Sequence, residues 1–304
     1  MYRLIHNLIV NFNSFLKTYM PLLAFVILGT LFTSCNKNSD VVAPVAQADN
    51  LVIVSDNNQS DYLMLKVLGK IRSTFPDIKI TYFKSKQFDI YQGSFLLSEA
   101  LKSFPSGTVI AGIVEPGAGG KRFVFDTGNK RVFAPDNGMA TWILHDNPNS
   151  TCYYVENSSV LNGANAGDLS FEDFYADAIC SLISGKQAST FGTKVSAPVT
   201  FAVQEPTVNG NTILGQILYT DDFGNCISNI PESLVTGIPL STALTFSSDT
   251  TKSVIKMGSY YSSVNTGENV CFVNGSKLLE LAINMGDFSE KFNITAGSII
   301  KITK

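Results

Sequence analysis

The chain has almost no histidine: two in 304 residues, His6 and His145. His6 falls in an N-terminal leader described below, so chemistry that needs two imidazoles is excluded. Cysteine is scarce too, five in all, and Cys152, Cys180, Cys226 and Cys271 show no C-x-x-C spacing. That removes zinc-site and thioredoxin-like readings, and the apolar neighbours of each predict buried free thiols. Neither sign of charge dominates: 22 Lys and Arg stand against 25 Asp and Glu, a net charge of −3. Without a basic stripe there is no electrostatic footprint for nucleic acid. Long hydrophobic runs are missing as well. The apolar run at residues 21–32 has the length of a signal-peptide core and is too short for an ordinary membrane span.

Arg3 and Lys17 precede that run, no acidic residue does, and it closes on Leu31-Phe32-Thr33-Ser34-Cys35 before a polar stretch. The pattern resembles a bacterial lipoprotein signal. It implies a signal peptide over residues 1–34, lipidation of Cys35, and a linker over residues 35–49. The expectation is an exported protein of the cell envelope, held to the membrane by acyl chains on Cys35.

What the chain does have is alternation. Leu51 to Val54 reads as a buried strand, and Leu63 to Phe75 follows at helical spacing. Ile78 to Phe83 is a second strand, and Tyr91 to Phe104 a helix stopped by Pro105-Ser106-Gly107. Thr108 to Val114 is a third strand. Phe123–Phe125 and Arg131–Ala134 read as a hairpin, and Met139–Leu144 and Phe171–Ile183 as helices. Residues 50–195 thus predict an α/β domain with a mainly parallel sheet covered on both faces. After Pro198 the pattern changes to short alternating runs separated by Asn209-Gly210 and Asn274-Gly275. Residues 196–304 predict an all-β domain, a small barrel or sandwich.

The third strand runs into Glu115-Pro116-Gly117-Ala118-Gly119-Gly120-Lys121-Arg122. A buried strand that enters a glycine-rich turn with a carboxylate at its mouth is where open α/β sheets bind ligands. The plainer alternative is a tight turn with an exposed ion pair. Further motifs stand in order along the chain: Ser55-Asp56 with Asp61; Ala134-Pro135-Asp136-Asn137-Gly138; Asp221-Asp222-Phe223-Gly224-Asn225-Cys226; and Asn274-Gly275-Ser276 followed by Glu280-Leu281-Ala282-Ile283-Asn284. Together with the Glu115 turn they resemble the S-adenosyl-L-methionine hydroxide adenosyltransferases, relatives of fluorinase and chlorinase, over about residues 50–304.

The resemblance implies an N-terminal α/β domain, a C-terminal β-barrel, and a homotrimer with each active site between neighbouring chains. It implies S-adenosyl-L-methionine as ligand, no cofactor and no metal, and attack of water on ribose C5′ to give adenosine and methionine. Asp56 would hold the ribose hydroxyls, since a carboxylate accepts from a diol. Asp61 would join that loop or simply cap the following helix, and Asn137 would line the pocket or stabilise its own turn. Asn225 would read the adenine edge, with Asp221 and Phe223 beside it. Asn274 and Ser276 would face the base or form an ordinary hairpin turn. The family activates water with an Asp–Arg–His set. Here Glu115 stands at the Asp position, Arg122 at the Arg position, and the His position falls on Ser170 or Glu172 according to the alignment. With Glu172 in that place the catalytic set is Glu115, Arg122 and Glu172. The alternative is a protein that binds an adenosine-type ligand without hydrolysis. His145 lies on a helix that runs away from the site.

Overall fold

Strands that read as unbroken apolar runs are buried on both faces, and the first half of the molecule is built on such strands. The computed structural model describes residues 46–304 apart from 116, 118, 119 and 250; the leader, Cys35 and most of the linker lie outside the described residues. β1 (Asn50–Ser55) is followed by α1 (Tyr62–Thr74), β2 (Lys79–Lys84), α2 (Ile90–Ser103) and β3 (Val109–Ile113). Then come β4 (Arg122–Asp126), β5 (Arg131–Pro135), α3 (Thr141–Asp146), β6 (Thr151–Tyr154), α4 (Phe171–Ile183) and the short β7 (Lys194–Val195). The strand order is β2-β1-β3-β5-β4-β6-β7. β2, β1, β3 and β5 are parallel neighbours, while β4, β6 and β7 pair antiparallel. The sheet is therefore mixed and mostly parallel, as expected for the α/β half. Its antiparallel part starts at the β4–β5 hairpin, whose connection is too short for a crossover.

Side chains alternate across this sheet as the pleat requires. Leu51 and Ile53 of β1 join α1 and α4 in one core, while Val52 and Val54 join α2 and α3 in the other. Each fully buried Val, Leu or Ile contributes about 1.5–3 kcal/mol. α4 starts at Phe171 because Ser170 caps it: its Oγ accepts the Asp173 N–H at 3.2 Å. Lys70 of α1 reaches Asp173 and Asp177 of α4 at 2.9 and 2.8 Å and pins the two helices together.

The second half comprises β8 (Thr207–Asn209), β9 (Thr212–Thr220), β10 (Cys226–Pro231), α5 (Glu232–Val235), β11 (Ala243–Ser247), β12 (Lys252–Met257), β13 (Asn269–Val273), β14 (Leu278–Ile283), α6 (Phe288–Phe292) and β15 (Ile299–Thr303). The order β10-β14-β13-β12-β11-β15-β9 is closed by pairing of β10 with β9, and β8 adds to β9 outside the ring. The expected barrel is thus a closed one of seven strands, and closure leaves no free edge in the ring. Phe246, Phe288 and Phe292 pack in its core, with ring centroids 5.1 and 4.6 Å apart along that series. The halves meet where Tyr91 packs on Phe201, centroids 4.2 Å apart, and Lys86 Nζ donates to Thr220 Oγ1 at 2.6 Å.

Cys152, Cys226 and Cys271 are buried free thiols, as the sequence predicts; Cys180 is also free but only half-buried. Burial pushes Cys152 up to about 11 and Cys226 and Cys271 up to about 12. They therefore stay protonated and unreactive at neutral pH. Among the described residues no helix is long and apolar enough to cross a membrane.

Candidate functional site

In an open parallel sheet a crevice forms where neighbouring connections leave in opposite directions. That point here lies between β1 and β3, because β1 has β2 on its other side. The loops at this edge carry Asp56 after β1, Phe88 after β2 and Glu115 after β3. Asp56 is buried, and its Oδ2 accepts the backbone N–H groups of Phe88 and Glu115, each at 3.2 Å. Both donors are non-glycine residues with positive φ, 58° at Phe88 and 40° at Glu115. Such conformations cost of order 1–3 kcal/mol and persist where the surroundings impose them. One carboxylate oxygen imposes both here and ties three loops together.

Asn137 fixes the exit of β3. Its Nδ2 donates to the carbonyls of Val114 and Glu115 at 3.1 and 2.9 Å, and its Oδ1 accepts the Met139 N–H at 3.2 Å. The β4–β5 register sets Arg122 opposite Pro135, which returns it to the same sheet edge. Its guanidinium donates to the carbonyls of Gly117, at 3.1 Å, and Gly120, and its Nε to the Tyr175 hydroxyl at 3.3 Å. It also lies over the rings of Phe174 and Tyr175, 5.3 and 5.4 Å from their centroids. Burial pushes the Tyr175 hydroxyl up to about 12 against the pull of Arg122. The cleft so formed holds about 610 Å³ and is lined by Asp56, Glu115, Gly117, Arg122, Ser170 and Phe171 among others. That is room for a nucleoside-sized ligand.

Glu172 does not line this cleft; Ser170 does. Glu172 turns to Lys66 of α1, 2.5 Å away, and that hydrogen bond holds its carboxyl below the usual range. Asp61 caps α1, its Oδ1 accepting the Tyr62 N–H at 3.1 Å, and stays exposed outside the cleft lining. His145 pairs with Glu205 and Asp146 at 2.6 and 3.1 Å and lines neither the cleft nor the hollow described next.

The barrel carries a second hollow, of about 730 Å³, between the β9–β10 turn and the segment after β14. Asp221, Phe223, Asn225, Tyr261, Met285 and Asp287 line it. Asp221 builds the turn. Its Oδ1 accepts the N–H groups of Phe223 and Asn225 at 2.9 and 2.8 Å, and its Oδ2 accepts Asn225 Nδ2 at 2.8 Å. Gly224 has φ 78°, and a Cβ there would overlap the Asp287 carboxylate, so the turn requires glycine. The turn leaves Phe223 78% exposed, and Met285, 85% exposed, lines the same hollow.

Asn274 and Ser276 form the β13–β14 turn, with Asn274 Oδ1 accepting the N–H groups of Ser276 and Leu278 at 3.0 and 3.3 Å. They stand behind the hollow, outside its lining. Asn274 reaches it through Glu280, whose Oε2 accepts Asn274 Nδ2 at 3.2 Å and whose Oε1 accepts the Tyr261 hydroxyl at 2.6 Å. Nothing in the sequence marks Tyr261 or Phe88 as site residues, and Glu280 stands there only as part of a motif. Ser170-x-x-Asp173 carries a helix-start signature that separates Ser170 from Glu172. No local signal joins Tyr261 to Asn225. Among the described residues no cluster of His, Cys, Asp and Glu could hold a metal ion.

Residues 51–192 match the family described as the SAM hydroxide adenosyltransferase N-terminal domain, and residues 215–301 match its C-terminal domain. An (R)-S-adenosyl-L-methionine hydrolase of Thermus thermophilus is 26% identical over 224 residues, covering 70% of this chain and 83% of that protein. A fluorinase of an Actinoplanes species is 23% identical over 289 residues, covering 84% and 97%. The crystal structure of an uncharacterized conserved protein from Thermotoga maritima superposes with a TM-score of 0.73 at 22% identity, covering 84% of this chain and all of that one. A conserved hypothetical protein from Thermus thermophilus gives 0.63 at 22% identity, covering 83% and 99%. With both domains matched in order along an α/β half and a closed barrel, the chain belongs to the SAM hydroxide adenosyltransferase family.

Proposed function

We propose that this protein hydrolyses S-adenosyl-L-methionine, with water attacking ribose C5′ to give adenosine and methionine. The observation that carries this reading is the meeting of Asp56, Glu115 and Arg122 at one cleft in a chain of this family, with Asn137, outside the lining, holding the backbone at Glu115. As the water oxygen bonds to C5′, the C5′–S bond breaks and its electron pair passes to sulfur. The sulfonium becomes the neutral thioether of methionine, and the water proton goes to a base. The leaving group needs no acid, so the protein has to orient the water in line with the C5′–S bond and take its proton. Glu115 is the carboxylate for that step. Arg122 holds the glycine turn that follows it, and Asn137 holds the backbone on either side of the Val114–Glu115 bond. Asp56 Oδ1 makes no hydrogen bond among the described residues and receives the ribose diol. A glutamate carries its carboxylate about 1 Å farther out than an aspartate, and misplacement on that scale can cost on the order of 10²-fold, so turnover is slow.

The base is taken by the barrel hollow of a neighbouring copy in a homotrimer. In support, the cleft and the hollow share no residue, and each is edged by exposed apolar side chains: Phe88 at the cleft, Phe223 and Met285 at the hollow. A partner would cover them. Export and anchoring through Cys35 belong to the same proposal.

A second reading, binding of an adenosine-type ligand without hydrolysis, is favoured by one observation. Arg122 is committed to the Gly117 and Gly120 carbonyls and to Tyr175, and no histidine lines the cleft among the described residues. Incubation of the intact chain with S-adenosyl-L-methionine, with chromatography for adenosine and methionine, separates the two. Release above the protein-free rate is expected, and Glu115→Gln should abolish it while calorimetry still records binding. Binding without release selects the second reading, and no heat with S-adenosyl-L-methionine or adenosine removes both.

A further inference from the structure

Glu115 stands at the mouth of a glycine turn, and a base on such a loop works only if the loop is held. On one side its backbone is fixed: Asp56 accepts its N–H and Asn137 donates to its carbonyl. On the other side the turn is held by Arg122, which donates to the Gly117 and Gly120 carbonyls. An arginine side chain has many rotamers, so it holds a turn only if it is held itself. Tyr175 of α4 does that. Its hydroxyl accepts the Arg122 Nε–H at 3.3 Å, and its ring centroid lies 5.4 Å from the guanidinium. Tyr175 is fully buried, and its ring is wedged in place. Phe171, one helical turn earlier, stacks on it with centroids 4.4 Å apart, and Phe133 of β5 meets it edge to face at 5.0 Å. Packing of this kind would be served by a phenylalanine. The hydroxyl is the part that packing does not require, and burying it is costly unless it bonds. Its own proton reaches no acceptor among the described residues, so its one bond is the one to Arg122.

We propose that Tyr175 is a positioning residue for the hydrolysis: its hydroxyl orients the Arg122 guanidinium and, through it, the glycine turn that follows Glu115 at the cleft. The inference rests on the hydrolysis reading above and adds to it a residue outside the cleft lining. The guanidinium is planar, so the bond at Nε sets the direction in which its terminal nitrogens meet the glycine carbonyls. Without the hydroxyl the stacked rings remain, but the plane is free to turn and the turn to shift with it. Displacement of a reacting group by about 1 Å can cost on the order of 10²-fold, and a fraction of that shift costs about three- to tenfold. A loss of this kind falls on the transition state and leaves ground-state binding alone, so kcat drops while KM holds.

Steady-state hydrolysis of S-adenosyl-L-methionine by the intact wild type and by Tyr175→Phe tests this. The variant is expected to lose about three- to tenfold in kcat, with KM and the calorimetric Kd within about twofold of wild type. A role that is only structural would lower the melting temperature and leave kcat of the folded protein where it was. Arg122→Lys removes the Nε–H and breaks the same bond from the other side. In that background Tyr175→Phe should lower kcat no further, whereas independent roles would multiply. A second readout needs neither turnover nor a Tyr175 variant. In ¹⁵N spectra the Arg122 Nε–H peak, identified by its loss in Arg122→Lys, should exchange slowly with solvent in wild type and faster in Tyr175→Phe. Fast exchange in wild type, an unchanged kcat in folded Tyr175→Phe, or effects that multiply across the pair overturns the inference and leaves the hydrolysis standing. No turnover by wild type above the protein-free rate removes the hydrolysis and this inference with it.

Discussion

At the scale of single residues, the two hollows are built by carboxylates that organise backbone. Asp56 holds Phe88 and Glu115 in left-handed conformations, and Asp221 folds the turn that presents Phe223 and Asn225. The second turn depends on Gly224, which combines φ 78° with contact against Asp287, the residue that caps α6. Gly224→Ala is expected to destabilise the protein by about 1–3 kcal/mol or more. Thermal unfolding would show the loss, and calorimetry should show weaker adenosine binding, because Phe223 and Asn225 flank the site. The site residues were partly legible in the sequence. Asp56, Asn137 and Asn225 stand in recognisable turn contexts. Phe88 gave no sign of its role, because nothing in a phenylalanine predicts positive φ; only the Asp56 carboxylate, far away in sequence, imposes it.

At the scale of elements, the start of α4 decides which side chain faces the cleft. Ser170 at the cap lines it, and Glu172 at the second helical position points to Lys66 on α1. The helix itself was legible from its period, and the residue facing the cleft follows from its first turn, where the Ser170-x-x-Asp173 spacing marks Ser170 as the cap. α3 carries a second device. His145 bridges Asp146 on its own helix and Glu205 in the segment that leads to the barrel. Those hydrogen bonds, to Asp146 first and then Glu205, raise its pKa above the ordinary 6.5. The bridge therefore adds stability that is complete below about pH 6.5 and is lost as pH rises through the folded-state value. The group is 39% exposed, so the effect is small. Melting temperatures of wild type and His145→Gln should differ by about 1–2 °C at pH 5.5, and the gap should shrink as pH rises past 6.5. A gap that widens with pH would contradict the assignment.

At the scale of the whole molecule, the change from strand–helix alternation to short alternating strands near Pro198 matches a real change of architecture. Apolar runs buried on both faces made the parallel strands legible. The mixed character of the sheet and the closure of the barrel depend on pairings such as β10 with β9, which sequence periodicity does not encode. The hydrogen bonds that join Asn225, Tyr261 and Glu280 are long-range in the same sense and appear only once the barrel has closed. The proposed chemistry joins a cleft on the sheet edge to a hollow on the barrel, and its central claim is that water attacks C5′. The most direct measurement is turnover of S-adenosyl-L-methionine by the intact chain in ¹⁸O-enriched water, with mass spectrometry of both products. The account predicts adenosine bearing one ¹⁸O at the 5′ position and unlabelled methionine. Adenosine without the label, or none above the protein-free control, would contradict it.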